Sequence, residues 1–600
     1  MFHPLLDNPA KIKDQELENK ILDLTKKYHT AASMGQGTIC QQILLILEVF
    51  KEEQFSTCHL GHLGLVAAKI DSMDLIGLID RRLPVSEAHG AKVTHGERVA
   101  AMIMNGLGFI DSRLYLFPEF LSDKPLERLF NRKVQAEWFN DDATGRCLDE
   151  IAAYGPTKLF TELSVIIGQA RGLLGKSMHI DTTTLSLFGD YAHPPSDGVI
   201  KQDETSSPWP EQGYAKSGRH DLKQMVLLLA TTGAASFPVF MESHSGNASD
   251  QTTMPAAAVK IRSLCQGLAD APDFLYVGDS AIYANILQHS KELFWITRVP
   301  ERIKEASELV STQDNIVWIK LGNGYSYHTT TSDYKGVKQR WLMFYSEAAY
   351  RRESKTFDKK IKTESEAQNK AWWHLSNRVF TCRDDAHNQA EAQKKQLKYH
   401  GATISIVEVK KHGSKGRPKS GELPEVVGYQ IEYNLFLNEQ EISRIRARKG
   451  RFVLATNQLD EAILSNEEVL REYKGQSGTE RGFKFIKDDT FQVDSVFLKT
   501  PERIDALMMV MTLCLMVYGV SEYELHQSLQ AGNETILSQT NKPTNKPSLR
   551  WVYFLFRVVN ELNVMTGDHV QKLVVNLNGV LRRIIQHFGQ RACAIYLNPA

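Results

Sequence analysis

Residues 177–191, SMHIDTTTLSLFGDY, mark the point where the sequence changes from helical to strand-like patterning. Apolar and β-branched residues in such a run are typical of a β-strand. Further strand-like runs follow at residues 222–233, 236–244, 273–283 and 293–300, and a helix is predicted from Met254 to Leu268. Three strands, a helix and more strands predict a mixed α/β sheet that begins with adjacent antiparallel strands.

The regions on either side of these strands differ in pattern. Residues 1–54 predict a helical hairpin, and residues 60–163 predict short helices separated by Pro84, Gly90 and Pro125. Two interpretations of the second region stay open: a helix-turn-helix that reads DNA, or a helical bundle with a solvated basic face. Both rest on the same basic residues: Arg81, Arg82, Lys92, Arg98, Arg128, Arg132 and Lys133.

Residues 301–450 are more charged and predict an inserted domain, with a helical stretch from about Ser354 to His400 and strands at 402–410 and 426–436. Its basic tract at 410–421, KKHGSKGRPKSG, is either a solvated face or a contact to a phosphate backbone. A strand resumes at 451–457, helices follow to Val520, and a polar linker at 531–547 precedes a predicted helical tail from Trp551 to Gln590.

Bulk composition excludes few classes of protein. The 600 residues are 42% hydrophobic and 24% charged, which is ordinary for a soluble protein of several domains. Lys plus Arg equals Asp plus Glu at 71 each, so affinity for nucleic acid must come from local basic patches. Seven scattered cysteines without a CxxC pair predict reduced thiols and no zinc site. The apolar run 506–520 is about five residues short of a membrane span, which predicts a buried helix in a cytoplasmic protein.

Three carboxylates carry the predicted chemistry. Asp181 and Asp279 lie where strands meet loops, and a carboxylate there is costly to desolvate unless a cation neutralises it. In residues 473–487, YKGQSGTERGFKFIK, four polar residues fall within about 60° on one face of a helix: Tyr473, Gln476, Glu480 and Lys487. Asp181, Asp279 and Glu480 together predict a site for Mg²⁺ or Mn²⁺, where two ions can assist an in-line phosphoryl displacement.

Two strand-borne Asp residues followed by a helical Glu resemble the DDE transposases of bacterial insertion sequences, whose catalytic domain is ribonuclease-H-like. The resemblance is closest to the cut-and-paste group with the helix signature Tyr-x2-Arg-x3-Glu-x6-Lys, from which this sequence departs only at Gln476. Blocks at 217–224, 245–250 and 295–300 (SGRHDLKQ, SGNASD and WITRVP) are also similar to that family. The likeness spans roughly residues 55–590.

The resemblance implies an α/β fold with a ribonuclease-H-like catalytic domain interrupted by a β-rich insertion, an all-helical N-terminal domain and a helical C-terminal tail. The predicted domains are a helical N-terminal extension (1–54), a helical DNA-binding domain (55–165), the catalytic domain in two parts (166–300 and 451–530), the insertion domain (301–450), and a linker with helical tail (531–600).

Activity and partners are implied in the same way. The enzyme would cut DNA at terminal inverted repeats and join the 3′ hydroxyl ends to target DNA, as a homodimer without a membrane, in the bacterial cytoplasm. Asp181, Asp279 and Glu480 would bind two Mg²⁺ ions, for which Mn²⁺ substitutes, and the expected DNA contacts are Tyr473, Gln476, Lys487, Arg298, Arg219, Lys223 and Trp295. Each of Arg219, Lys223 and Arg298 is alternatively a surface charge, and Trp295 is alternatively a core residue.

Two alternatives remain open. A metal-dependent nuclease would cut DNA without joining strands, and a domesticated protein would bind DNA without catalysis. The glycines at 475, 478 and 482 each cost a helix about 1 kcal/mol relative to Ala. Either a DNA backbone approaches closely there, or the helix is broken.

Overall fold

The computed structural model describes residue 23 and residues 55–85, 91–108, 117–189, 191, 208–214, 219–266, 273–312, 316–412, 423–487, 498, 500–566 and 569–598. The hairpin predicted for residues 1–54 lies outside these ranges, apart from residue 23.

The first described region is mainly helical, as predicted, but it begins with a strand, β1 (Phe55–His59). The helices that follow are α1 (Leu63–Ser72), α2 (Leu75–Asp80), α3 (His95–Leu107), α4 (Phe117–Ser122), α5 (Leu126–Phe130), α6 (Asp141–Tyr154) and α7 (Pro156–Ala170). α3 begins with a capping box, in which Thr94 and Glu97 each accept the other's backbone N–H. Gly155, at φ 97°, ends α6, and Pro156 opens α7 because its fixed φ suits a first helical position.

The predicted strands of the central region are all present. The elements in order are β2 (Ser177–Leu187), β3 (Lys223–Thr232), β4 (Phe237–Ser245), α8 (Asp250–Gln266), β5 (Leu275–Gly278), α9 (Tyr283–Ile286) and β6 (Phe294–Arg298). β2, β3 and β4 pair antiparallel, whereas β5 pairs parallel with β2. The prediction of a mixed α/β sheet with adjacent antiparallel strands at its start is confirmed.

The next region contains more strands than the sequence predicted. Its elements are α10 (Lys304–Ser311), β7 (Ile319–Gly322), β8 (Tyr325–Tyr334), β9 (Val337–Ser346), α11 (Glu347–Ser376), α12 (Arg383–Lys394), β10 (His400–Lys411), β11 (Glu425–Leu437), α13 (Glu439–Ala447) and β12 (Arg451–Thr456). The predicted strands correspond to β10 and β11, but the predicted helical stretch is two helices. β7, β8 and β9 were missed because their polar, charged neighbours hide the strand alternation.

The last region differs most from prediction. It contains α14 (Asn466–Gly475), α15 (Ser477–Ile486), α16 (Pro501–Ala531), β13 (Ile536–Leu537), β14 (Pro543–Thr544), α17 (Leu549–Leu555), β15 (Asn560–Thr566), β16 (His569–Val575), α18 (Gly579–His587) and α19 (Gln590–Leu597). The prediction of an all-helical tail is wrong, because β15 and β16 form an antiparallel hairpin whose outer neighbour is β1. Leu562, Val564 and Leu573 bury the apolar side of that hairpin.

The chain divides into two compact units, and the first comprises Met1–Gly278, Ala284–Phe294 and Glu472–Ala600. Four strands of this unit lie in the order β4-β3-β2-β5. Helix α16 is long and apolar enough to cross a membrane by length and composition, but 78% of its most apolar window is buried inside the protein. The core helix of a soluble protein passes the same test, and a helix that is apolar all round is expected to be buried.

The second unit comprises Asp279–Tyr283 and Trp295–Arg471. Its strands lie in the order β6-β12-β9-β8-β7, so residues assigned from sequence to the insertion pair directly with β12. The β10–β11 hairpin and helices α11 and α12 bury a cluster of their own: Trp372, Phe380, Ala386, Ala390, Ala402 and Ile431. Within the predicted 301–450 insertion, this cluster is the part that has its own core.

Candidate active site

Asp181 lies in the middle of β2, with a half-buried side chain. Its Oδ1 atom accepts the backbone N–H of Thr182 at 2.8 Å. Since alternate residues of a strand point to the same face, Asp181 shares a face with His179 and Thr183. The Thr182 side chain points to the opposite face, where its hydroxyl donates to Asp250 at the start of α8 at 2.6 Å.

The helix that carries Glu480 is interrupted. Residues 473–487 were predicted to form one helix face, but α14 ends at Gly475, α15 begins at Ser477, and Gln476 forms a turn between them. The backbone there keeps helical dihedral angles, and the Gln476 N–H donates to the Tyr473 carbonyl at 3.3 Å. The prediction of one continuous helix is therefore wrong.

Glycines allow the two short helices to lie directly against the sheet. A Cβ atom on Gly475 would lie 2.7 Å from the His179 ring, and one on Gly478 would lie 2.1 Å from Ser236 Oγ. A Cβ atom on Gly482 would meet Leu515 at 3.0 Å. The helix is broken near the first of these glycines, as one interpretation held, but packing within the protein explains all three.

Thr479 fixes the first turn of α15 over β2 and β3. Its side-chain oxygen lies 2.7 Å from that of Thr231, and it also approaches the His179 carbonyl oxygen at 3.5 Å. Both threonines are buried, so the hydrogen bond between their hydroxyls satisfies groups that water does not reach. Glu480, the next residue, is exposed, so Thr479 anchors the turn from which the Glu480 carboxylate projects.

A second polar group joins β2 to α14. The Ser177 hydroxyl donates to Glu472 and lies 3.3 Å from His179 Nε2. Burial lowers the pKa of His179 to about 4, so the ring is neutral at physiological pH. Ser177 and His179 lie four and two residues before Asp181. Sequence reasoning missed this polar group because Glu472 is distant from them along the chain.

Asp279 belongs to the second unit and is the first residue after β5. Its Oδ1 atom accepts the N–H of Ala281 at 2.8 Å, which closes a tight turn. Its carbonyl oxygen accepts the hydroxyl of Thr297 on β6 at 2.6 Å. The side chain and the backbone carbonyl of Asp279 are thus each held by one hydrogen bond.

The family models bear on these residues. A model described as transposase DDE domain matches residues 194–517, which is more than half of the chain. The chain belongs to the transposase DDE-domain family. Asp279 and Glu480 lie inside the matched range, and Asp181 lies before it. A second model, a domain of unknown function (DUF4277), matches residues 55–165, the bounds predicted for the helical domain.

Similarity to curated proteins and to solved structures is weaker than the family match. No curated protein matches the chain. A cryo-EM structure of a piggyBac transposase synaptic complex with hairpin DNA shares 10% sequence identity, with 82% of this chain and 79% of that chain covered. The TM-score between the two structures is 0.34. Membership of the transposase family therefore rests on the DDE-domain match.

The transposase family implies a divalent metal, and the residues present fit one in chemistry. The candidate ligands are all carboxylate oxygens, which hard cations such as Mg²⁺ prefer. In the part of the chain that the structure describes, no group of three His, Cys, Asp or Glu side chains is arranged to hold a metal ion. The assignment of Asp181, Asp279 and Glu480 as ligands thus stays a prediction.

The DNA contacts predicted for this transposase differ in their accessibility. Lys487 is exposed, and Tyr473 and Gln476 are half-buried on either side of the helix break. The Arg219 guanidinium binds Asp221 through two bonds of 2.7 and 2.8 Å and holds the pKa of that carboxyl at about 2. The Lys223 ammonium donates to the Tyr191 carbonyl.

Two predicted contacts lie in the second unit. Arg298 bonds to Glu301 at 3.1 Å and lies over the Phe452 ring. Trp295 is 0% exposed and packs edge-on against Tyr283 at 6.3 Å. The proposal that Trp295 stacks on a displaced base is therefore wrong in this structure, because a fully buried ring has no open face for a base.

In the helical domain, most of the predicted basic residues make internal ion pairs. Arg81, Arg82 and Arg132 bind Asp74, Glu162 and Glu97 at 2.6–2.8 Å. Arg128 forms a buried pair with Glu561, and Arg98 is buried. These contacts favour the helical-bundle interpretation over a basic face that reads DNA. Of the seven predicted basic residues, Lys92 and Lys133 are exposed and make no ion pair within the described residues.

Proposed function

We propose that this protein is a transposase that cleaves DNA at the terminal inverted repeats of an insertion sequence and joins the 3′ hydroxyl ends to target DNA. It does so as a homodimer in the bacterial cytoplasm. The catalytic domain is proposed to be ribonuclease-H-like. In this proposal Asp181, Asp279 and Glu480 hold two Mg²⁺ ions, and Mn²⁺ substitutes for them.

The match of the transposase DDE-domain model to residues 194–517 carries the proposal. Strand register describes where two of the proposed carboxylates lie in the chain. The parallel pairs between β2 and β5 are Ser177↔Leu275, Met178↔Tyr276 and His179↔Val277, each separated by 98 residues. Asp181 and Asp279 are separated by the same number of residues. Asp181 lies two residues beyond the last β2–β5 pair on β2, and Asp279 follows directly after β5.

The position of Glu480 supplies the second support. Thr479 anchors the start of α15 on β2 and β3, and the exposed Glu480 follows it directly. Asp181 lies two residues after His179, whose carbonyl oxygen and ring both contact the helices that flank Gln476. Within the first unit, therefore, Asp181 and Glu480 are attached to elements that pack directly together.

The chain's own residues would position the DNA, and a bound cation pair would activate the attacking oxygen and stabilise the leaving oxygen. Carboxylates at Asp181, Asp279 and Glu480 hold negative charge for such cations. Lys487, Tyr473 and Gln476 are proposed to bind phosphates beside the scissile bond, since Gln donates a hydrogen bond where Arg would add a charge. Arg219, Lys223 and Arg298 are proposed as further phosphate contacts once their internal partners release them.

The test uses the purified full chain with duplex oligonucleotides taken from the DNA that flanks its coding sequence. Wild-type protein with Mg²⁺ should nick these ends and, with pre-cut 3′ hydroxyl ends, join them to a target plasmid. Asp181→Asn, Asp279→Asn and Glu480→Gln should each abolish both products while leaving end binding intact. Glu502→Gln, which removes an exposed carboxylate from α16, is the matched control and should retain activity.

Each other outcome has a definite meaning. Cleavage without joining would assign a nuclease, and end binding without cleavage would assign a non-catalytic DNA-binding protein. Full activity in any one of the three carboxylate variants would overturn the metal-site assignment. Lys487→Ala should keep the metal-dependent reaction. It should reduce the slope of log K for DNA binding against log salt concentration by about one, because one phosphate contact is lost.

A further inference from the structure

A surface near the C-terminal end of the described chain combines aromatic rings with cations. It is formed by α17, the turn Phe556–Val558 after it, and the β13–β14 hairpin, all within the first unit. One side of this segment is buried through Leu549, Val552, Tyr553 and Phe556. The opposite side presents Trp551, Phe554 and Arg557, which are spaced by three residues. We call it the aromatic–basic surface.

The three side chains of this surface form a stack. The Trp551 and Phe554 rings have centroids 5.3 Å apart at 19°, and the Arg557 guanidinium carbon lies 3.8 Å from the Phe554 ring centroid. Arg557 Nη1 also donates to the Phe554 carbonyl at 2.9 Å. Trp551 Nε1 donates to the carbonyl of Leu537 at 2.8 Å, so the hairpin is attached to the same stack. The Arg557 guanidinium group is therefore held in one orientation although Phe554 is 48% exposed.

The charge of the segment has one sign. Residues 535–560 contain Lys542, Lys546, Arg550 and Arg557, all exposed, and no Asp or Glu. Among the described residues, none offers a carboxylate that pairs with Lys542, Lys546 or Arg557. By contrast, most basic residues of the helical domain are neutralised internally. Lys542, Lys546 and Arg557 thus keep their positive charge for an external partner.

We infer that the aromatic–basic surface binds the phosphate backbone of DNA. A guanidinium held over an aromatic ring offers paired N–H donors that match two phosphate oxygens. Lys542 in the β13–β14 hairpin and Lys546 just after it add point charges for neighbouring phosphates. An aromatic and basic surface is the arrangement that nucleic-acid backbones recognise. This inference rests on the proposed function, which supplies DNA as the partner, and adds a contact region remote in sequence from residues 473–487.

The experiment measures how DNA affinity depends on salt. Full-length wild type and the triple variant Lys542→Gln/Lys546→Gln/Arg557→Gln are titrated against a fluorescent duplex at several NaCl concentrations, without Mg²⁺. Losing three phosphate contacts should reduce the slope of log K against log salt by about 3. The matched control, Lys158→Gln/Lys291→Gln/Lys320→Gln, removes the same charge from exposed lysines elsewhere and should leave the slope unchanged.

Further measurements separate this inference from the proposed function. Thermal melting checks that the triple variant folds, and Phe554→Leu, which keeps every charge, should weaken binding several-fold without altering the slope. Failure of the wild type to cut DNA would overturn the proposed function. Wild-type cleavage together with an unchanged slope in the triple variant would overturn only the present inference. A changed oligomeric mass in Phe554→Leu by light scattering, with unchanged DNA affinity, would instead assign the surface to a second copy of the chain.

Discussion

Replacing Gly478 by Ala tests how α15 is seated on the sheet. In an ordinary helix this change stabilises by about 1 kcal/mol, because Gly is a poor helix former. Here the new Cβ atom would lie 2.1 Å from Ser236 Oγ and 2.7 Å from Ser236 Cβ. Rotating the hydroxyl does not remove the contact with Cβ, so α15 or the β3–β4 turn must move. Overpacking of this kind costs about 1–3 kcal/mol.

The net expectation is a loss of up to about 2 kcal/mol from the free energy of unfolding, because the overpacking cost is partly offset by the helix-propensity gain. Displacing α15 should also lower DNA cleavage, because Glu480 lies two residues after Gly478. Urea unfolding measures the first effect, and hydrogen exchange over residues 477–486 locates it. The control is Gly579→Ala in α18, where nothing lies within 4 Å of the new Cβ atom and a small gain is expected.

A second substitution provides the rescue. Ser236 has a φ of 50°, a left-handed conformation in which Gly is favoured over Ser by about 1 kcal/mol. Ser236→Gly removes the atoms that Gly478→Ala would meet, so the double variant should regain both stability and cleavage. Equal stability of Gly478→Ala and wild type, or no rescue by Ser236→Gly, would refute the packing argument.

Three further predictions concern buried polar groups. Burial raises the pKa of Asp505 to about 6, and its Oδ1 atom has no hydrogen-bond partner among the described residues. Asp505→Asn should therefore raise the free energy of unfolding by up to about 3 kcal/mol at pH 8. Urea unfolding should show this gain disappear below pH 4, where the carboxyl is protonated in both states. Burial lowers the pKa of His62 and of His179 to about 4, so acidification from pH 6.5 to 4 should lower the free energy of unfolding by up to about 3 kcal/mol for each ring. His179→Gln should flatten the pH dependence of the melting temperature. A melting profile equal to that of the wild type would contradict this. Thr479→Val should cost about 1–3 kcal/mol by leaving its partner hydroxyl on β3 unbonded, whereas Thr479→Ser should keep most of the stability and cleavage.

The strands of the first unit were predictable because their signal is local. Runs such as residues 222–233 are apolar or β-branched throughout, and such residues favour a buried strand whatever the rest of the chain does. Asp181 was correctly assigned to a strand run and Glu480 to a helix. The prediction that Asp181 lies where a strand meets a loop is wrong, because β2 continues to Leu187 and Asp181 is in its middle.

The remaining features depend on contacts between distant residues. Helical periodicity alone assumed that residues 473–487 continue as one helix, whereas the packing of Gly475 and Gly478 involves His179 and Ser236. The β15–β16 hairpin was predicted as helix because short apolar runs fit both the helical periodicity of about 3.6 residues and the strand periodicity of two. The Thr231–Thr479 pair joins residues 248 apart in sequence, and no local pattern marks it.

The pairing of β1 with β15 sets an order for assembly during synthesis. His59 and Asn560 are paired although 501 residues separate them. At translation rates of about 5–20 residues per second, β1 waits roughly 25–100 seconds for its partner strand. During that interval its edge is unpaired, and Arg128 lacks Glu561, its buried partner. A nascent chain that ends before β15 and β16 therefore lacks a completed first unit, so assembly of that unit must follow synthesis of residues 560–575.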